Sequence, residues 1–162
     1  DLHVFLLDHM DHSLATLSEC TVVDFPRDTV LAMLARPRLA QALLLSAMVD
    51  EGTLREWVVN LGRRQGEERV AHLLCELLSR LRAVGLVSSD SYRLPITQLD
   101  LADTVGQSAV HVNRVLESLK ASKLITLERS NLVILDLPAL EKLAGWNPNY
   151  LHLRRMTQVP IA

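Results

Sequence analysis

Residues Thr97–Leu119 read TQLDLADTVGQSAVHVNRVLESL, and the fold is decided by this stretch. Thr97, with Asp100 three places on, fits a capping box, in which hydroxyl and carboxylate each take a backbone N–H that the helix leaves unpaired. Leu101, Ala102 and Val105 then share one face of a short helix. Gly106 can adopt the left-handed backbone that ends a helix, and Ser108 supplies a fresh N-cap. The second helix has Ala109, Val112, Val115, Leu116 and Leu119 on its apolar face. Two helices joined by a glycine-containing turn of about three residues make a helix-turn-helix. Ala102 is small enough to let them cross closely.

The outward face of the second helix carries the chemistry. At about 100° per residue, Val110, Arg114 and Glu117 point away from Val112, flanked by His111, Asn113 and Ser118. Arg, Asn and His side chains can reach base edges in a major groove, and an exposed Val can meet a thymine methyl. A helical hairpin with an ordinary solvated face would show the same periodicity, so the next segment matters. Leu124–Leu127 (LITL) and Leu132–Leu135 (LVIL) are β-rich runs on either side of Glu128-Arg129-Ser130-Asn131. They predict a hairpin, and a helix-turn-helix followed at once by a hairpin is a winged helix.

Ile96–Leu135 resembles the DNA-binding domain of the Crp/Fnr family of bacterial transcription regulators. The residues that carry the resemblance are GQSAVHVNRVLESLK, Gly106–Lys120. Within them the Gly-x-Ser turn and the Val-x-Arg-x-Leu run Val112–Leu116 match most closely. The similarity reaches back over nearly the whole chain. It implies a homodimer that reads a palindromic DNA operator, with RNA polymerase as a further partner. It also implies that Arg114 faces a guanine and that Ala109 and Val110 stand at two further base-reading positions. Thr97, Gln98 and Ser108 lie at helix starts, where phosphates bind favourably. The expected DNA-binding set is Thr97, Gln98, Gln107, Ser108, Val110, His111, Asn113 and Arg114.

The chain has 162 residues, 49% hydrophobic and 4% aromatic, which suits one or two small domains with aliphatic cores. Its net charge of −2 exerts no general pull on nucleic acid and argues against a non-specific DNA coater. Cys20 and Cys75 are far apart and lack a CxxC partner, so neither a metal site nor a disulfide framework is signalled. No run of about 18 apolar residues and no basic signal-type segment occurs, and a cytoplasmic chain with no membrane contact is expected. His3, His9 and His12 beside Asp8 and Asp11 form a polar cluster that reads as solvated rather than metal-binding. No cofactor is expected.

The fold class expected is mainly α with small β elements. His3–Leu7 and Ser13–Phe25 look like closing strands of a sheet with too few partners to hide its edges. The resemblance makes residues 1–36 the remnant of a sensor β-roll whose first half is expected to be missing. Asp28 is read as the cap of a short helix to about Ala35. Residues 37–66 are a long helix from Pro37 to about Arg64, followed by a hinge at Arg63-Arg64-Gln65-Gly66. By resemblance this is the dimerisation helix, with Leu43, Leu54, Trp57, Val58 and Leu61 on the seam. Residues 67–153 form the winged-helix domain. It opens on an amphipathic helix with Val70, Leu73, Leu74, Leu77, Leu78 and Leu81, ending at Gly85. Tyr92–Leu94 adds a strand, and Asp136 caps a last helix ending at Gly145. Trp146–Leu153 is apolar enough to dock, and residues 154–162 read as a frayed tail.

No Ser-His-Asp or Cys-His arrangement, phosphate-cradling glycine loop or HExxH spacing appears, so an enzyme is not expected. The runner-up to a DNA reader is a winged-helix protein-interaction module that no longer binds DNA. It rests on Asp100, Asp103 and Glu117, which offset Arg93, Arg114, Lys120 and Lys123 around the reader.

The effector is left unnamed. In cyclic-nucleotide-binding members of the resembled family an Arg-Ser pair holds the cyclic phosphate, whereas this sequence has Asp11-His12-Ser13. An Asp repels a phosphate where an Arg would pair with it. Titration calorimetry is therefore expected to detect no binding of cyclic AMP by this chain. A micromolar affinity would contradict that reading.

Overall fold

The computed structural model describes His9 and residues 12–153. Its helices are α1 (Arg27–Leu34), α2 (Pro37–Arg63), α3 (Gly66–Ala83), α4 (Gln98–Val105), α5 (Ala109–Ala121) and α6 (Leu137–Ala144). Its strands are β1 (Ser91–Arg93), β2 (Ile125–Glu128) and β3 (Asn131–Ile134), and a 3-10 turn at Pro148–Leu151 follows α6. The expected mainly helical winged-helix fold is what forms.

α3 is the hub because it is apolar on most of its circumference. Val70, Ala71, Leu73, Leu74, Cys75 and Leu78 are all buried, packed against α4, α5 and α6. Burial pushes the Cys75 thiol up to about 12, so it stays protonated and inert. The helix stops where Gly85 takes φ 72°, and Leu86 N–H bonds back to the Leu81 carbonyl, the pattern of a Schellman stop. Gly145 ends α6 in the same way at φ 56°, with Trp146 N–H on the Glu141 carbonyl.

The sheet has the order β1-β3-β2 and is antiparallel throughout. Pairing runs from Ile125 opposite Ile134 to Glu128 opposite Asn131, which leaves Arg129 and Ser130 as a two-residue turn. Both have positive φ, 46° and 69°. That geometry matches the right-handed twist of the two strands it joins. Tyr92 hangs β1 on the hub by donating its hydroxyl to the Leu74 carbonyl at 2.9 Å.

Three expectations need correction. Ser13–Phe25 forms no strand, and its residues are all exposed. Its alternating apolar pattern has no partner strand among the described residues, and a lone strand cannot pair its own backbone groups. Asp28 does not cap α1. Pro26 occupies that position, and Asp28 lies within the first turn, where its charge still suits the dipole. β1 begins and ends one residue earlier than Tyr92–Leu94. The strand expected at His3–Leu7, Asp8 and Asp11 of the polar cluster, and residues 154–162 lie outside the described residues.

α2 has two faces. Inward, Val49, Gly52 and Asn60 are buried. Gly52 lets the turn after α6 come close: a Cβ would stand 3.3 Å from the Tyr150 carbonyl oxygen, a tight contact. Outward, Leu44, Met48, Leu54 and Val58 are each more than half exposed. Among the described residues no single helix is long and apolar enough to cross a membrane, and α1 and α2 meet at a 110° bend.

Among the described residues, the buried polar ones are Asn60, His72 and Glu76, on the α2–α3 interface. Glu76 accepts from Tyr150 Oη at 2.6 Å, Trp57 Nε1 at 3.1 Å and Arg80 Nε at 2.8 Å. A carboxylate this buried needs such partners, because a lost one leaves an unpaired charge in low dielectric. His72 is fully buried beside it, edge-on to Trp57 and Trp146 and stacked on Tyr150. Its Nε2 is 3.3 Å from Glu56 Oε1, too poorly aligned for a hydrogen bond. Burial is the largest influence on this imidazole and Arg64 the next. Together they outweigh Glu76 and Glu56, and the group is lowered to about 4.

The pH dependence follows from that direction. Between the ordinary value of 6.5 and about 4 the unfolded chain binds a proton at His72 that the fold refuses. Stability is therefore complete above that window and falls as pH drops through it, by up to roughly 3 kcal/mol. Urea unfolding at pH 7 and pH 4.5 is expected to show this loss, and His72→Leu is expected to shrink it. An unchanged pH slope in that variant would place the loss elsewhere.

Candidate nucleic-acid interface

The local sequence builds the helix-turn-helix from its caps. Thr97 Oγ1 accepts the Asp100 N–H at 3.1 Å, while the Asp100 carboxylate accepts the Thr97 N–H at 2.9 Å. Hydrogen bonds from Thr97 hold the Asp100 carboxyl below its usual range. Gly106 takes φ 63°, and Ser108 Oγ accepts the His111 N–H at 3.2 Å to open α5. Leu101, Ala102 and Val105 of α4 meet Val112, Val115, Leu116 and Leu119 of α5 in the core.

That packing decides which face of α5 is left outward. Val110 is 64% exposed, and His111, Asn113, Arg114 and Glu117 are exposed with it. Lys120 neutralises Glu117 at 3.0 Å, so the acidic residue does not set the sign of this face. Among the described residues no carboxylate holds Arg114. It lines a groove of about 510 Å³ with His111 and Ser118 on one side and Gln65, Glu67 and Glu68 on the other.

The other expected binding residues are distributed less evenly. Gln98 Nε2 donates to Asn113 Oδ1 at 3.2 Å, joining the start of α4 to the outward face of α5. Thr97, Gln98 and Ser108 are exposed, as expected of residues at helix starts. Gln107 is half-buried with its Oε1 unpaired, turned toward the start of α3 rather than outward. His111 leans the same way. A Cβ on Gly66 would stand 2.3 Å from His111 Nε2 and 3.2 Å from Gln107 Nε2, so a larger residue there would push the ends of these two side chains aside.

The residues expected on the α2 seam also divide. Leu54 and Val58 are 64% and 72% exposed, and Leu43 is half-buried. Trp57 turns inward to Glu76 and packs against the core of its own chain, because the inward face of α2 is centred near Val49 and Asn60. Leu61 is 42% exposed and also reaches the turn, with its Cδ2 3.3 Å from where a Gly106 Cβ would lie.

Two features escaped the reading of the sequence. Arg129 stands at the tip of the hairpin, a basic residue in a two-residue turn. The signal was Arg-Ser between two β-rich runs. The second is Arg69, whose side chain bonds both the hinge and the end of α4. A single Arg in an acidic, apolar helix start carries no such message by itself.

Residues 68–143 match the family model for a Crp-like helix-turn-helix domain. These residues form a Crp-like helix-turn-helix domain. It is 31% identical over 131 residues to a probable transcriptional activator of Rhizobium leguminosarum bv. viciae, covering 80% of this chain and 53% of that protein. It is also 31% identical to the transcriptional activator protein FnrL of Cereibacter sphaeroides, over 67% of this chain and 46% of that one. Among solved structures it is similar to FixK2 from Bradyrhizobium japonicum, with a TM-score of 0.64 at 22% identity over 73% of this chain and 58% of the other. The chain thus spans about half the length of the curated relatives it matches. Those Crp/Fnr relatives are named as transcription regulators rather than enzymes.

Proposed function

We propose that this chain is a sequence-specific DNA-binding regulator that acts as a homodimer on a palindromic operator. The observation that carries the reading is the outward face of α5. Val110, Asn113 and Arg114 are uncovered there, on a helix whose opposite face is locked into a core. A rigid helix with a guanidinium, an amide and a small apolar side chain outward has the groups that discriminate base pairs in a major groove. Arg114 is assigned to a guanine, and Val110 to a thymine methyl. Thr97, Gln98 and Ser108, with Arg129 on the hairpin tip, are assigned to phosphates.

The outward face of α2 supports the dimer. Leu44, Met48, Leu54 and Val58 make an apolar stripe along a 27-residue helix, about 40 Å of possible seam. Two copies joined there would present their α5 helices to half-sites about 34 Å apart. Residues 1–36 are assigned to the end of a sensor domain, residues 37–66 to the dimerisation helix and hinge, and residues 67–153 to the reader. Contact with RNA polymerase is a further expectation of the resemblance, and no effector is assigned.

A duplex selected from random sequence tests the reading. Arg114→Ala is expected to weaken binding to it by roughly 1–3 kcal/mol and to relax one guanine per half-site. Gln98→Ala is expected to weaken all sequences alike. Equal losses on selected and scrambled DNA for Arg114→Ala would make it a phosphate clamp, and failure to select any sequence would favour the protein-interaction module. Leu54→Glu is expected to sediment as a monomer at concentrations where the parent is a dimer. A soluble dimer in that variant would place the seam elsewhere.

A further inference from the structure

Between the dimerisation helix and the reader, contacts converge on one side chain. Arg69, in the first turn of α3 and half-buried, donates Nε to the Arg64 carbonyl at 2.8 Å. The same guanidinium donates Nη1 to the Val105 carbonyl at 3.3 Å. Arg64 is the residue on which α2 ends, and Val105 is the last residue of α4, next to the turn that launches α5. Helix-end carbonyls lack partners within their own helix. A charged donor there makes a stronger bond than a neutral one.

Two independent contacts cross the same gap. Leu61 of α2 lies against Gly106 of the turn, and His111 and Gln107 of the reader sit on Gly66 of the hinge. The hinge therefore touches the helix-turn-helix itself and not merely the hub behind it. Glycine at both contact points lets the side chains from the facing element lie directly on the backbone. Arg69 bridges the approach with two directed bonds from one planar group, which fixes an angle as well as a distance.

We propose that Arg69 is a positioning residue that sets the angle between the dimerisation helix and the recognition helix. In a dimer that angle determines how far apart the two recognition helices lie, and hence which half-site spacing is read. The inference rests on the dimeric DNA-reading function above. It assigns Arg69 no contact with DNA.

The test compares three duplexes carrying the selected half-site: the selected palindrome, the same palindrome with one base pair added at its centre, and a single half-site. Fluorescence anisotropy at one salt concentration gives each affinity for the full chain. The parent is expected to prefer the selected spacing by about tenfold or more, and Arg69→Gln to reduce that preference to within about threefold. Single half-site binding and melting temperature should change little, and Arg69→Lys should restore part of the preference. Retained spacing preference in Arg69→Gln would overturn the proposal. So would a uniform loss on all three duplexes with a lowered melting temperature, since that marks a residue needed only for folding. Hydrogen exchange without DNA tests the tie separately. Arg69→Gln is expected to speed exchange both at residues 64–66 and at residues 105–108. No change there would also overturn the proposal, and that result would stand whether or not the chain proves to bind DNA.

Discussion

Glu76 is a carboxylate with almost no water around it, and three parts of the chain meet on its two oxygens. Trp57 brings α2, Arg80 belongs to α3, and Tyr150 brings the turn that follows α6. Each donor offsets part of the cost of burying the charge, and none of the three segments can leave without exposing an unpaired group. His72 fills the space beside it as a neutral ring among aromatic neighbours. The long helix is consequently not a free arm. It is attached to the reader along its C-terminal half, and its outward stripe faces in a direction set by this cluster.

From that attachment the rest follows in order. α3, gripped at Glu76, presents its leucines to α4, α5 and α6. α5, buried on one face, has no choice about which face it leaves outward. The hairpin is held to the hub through Tyr92 of the strand paired with it, with Arg129 at its tip. A recognition helix must be rigid to discriminate, because a mobile one would re-pair with whatever bases it met. The caps at Thr97 and Ser108 and the left-handed Gly106 supply that rigidity locally, and the core supplies it globally.

Much of this was legible in the sequence, and the reason is locality. Caps, glycine stops, helical periodicity and the short hairpin are determined by residues within about five positions of each other; apart from the cap expected of Asp28 and a one-residue shift of the hairpin strands, those elements formed as expected. The exposed positions of α5 followed from one periodicity. What could not be read depended on distant partners. His72 and Glu76 look like solvated interruptions in a leucine-rich helix until Trp57 and Tyr150 are brought to them. Trp57 fits an outward heptad pattern as well as an inward one, and only Glu76 decides between them. Ser13–Phe25 has the alternation of a strand, but alternation cannot provide the neighbouring strand. Arg69 and Gly66 were silent because their meaning lies in what approaches from Val105 and His111.

The central claim is that the outward face of α5 reads a duplex. A structure of the chain bound to a duplex selected from random sequence tests it most directly. The account predicts α5 in the major groove of each half-site, with the Arg114 guanidinium about 2.7–3.2 Å from guanine O6 or N7. A complex in which α5 lies outside the groove, or in which DNA contacts another face while Arg114 stays in water, would contradict it.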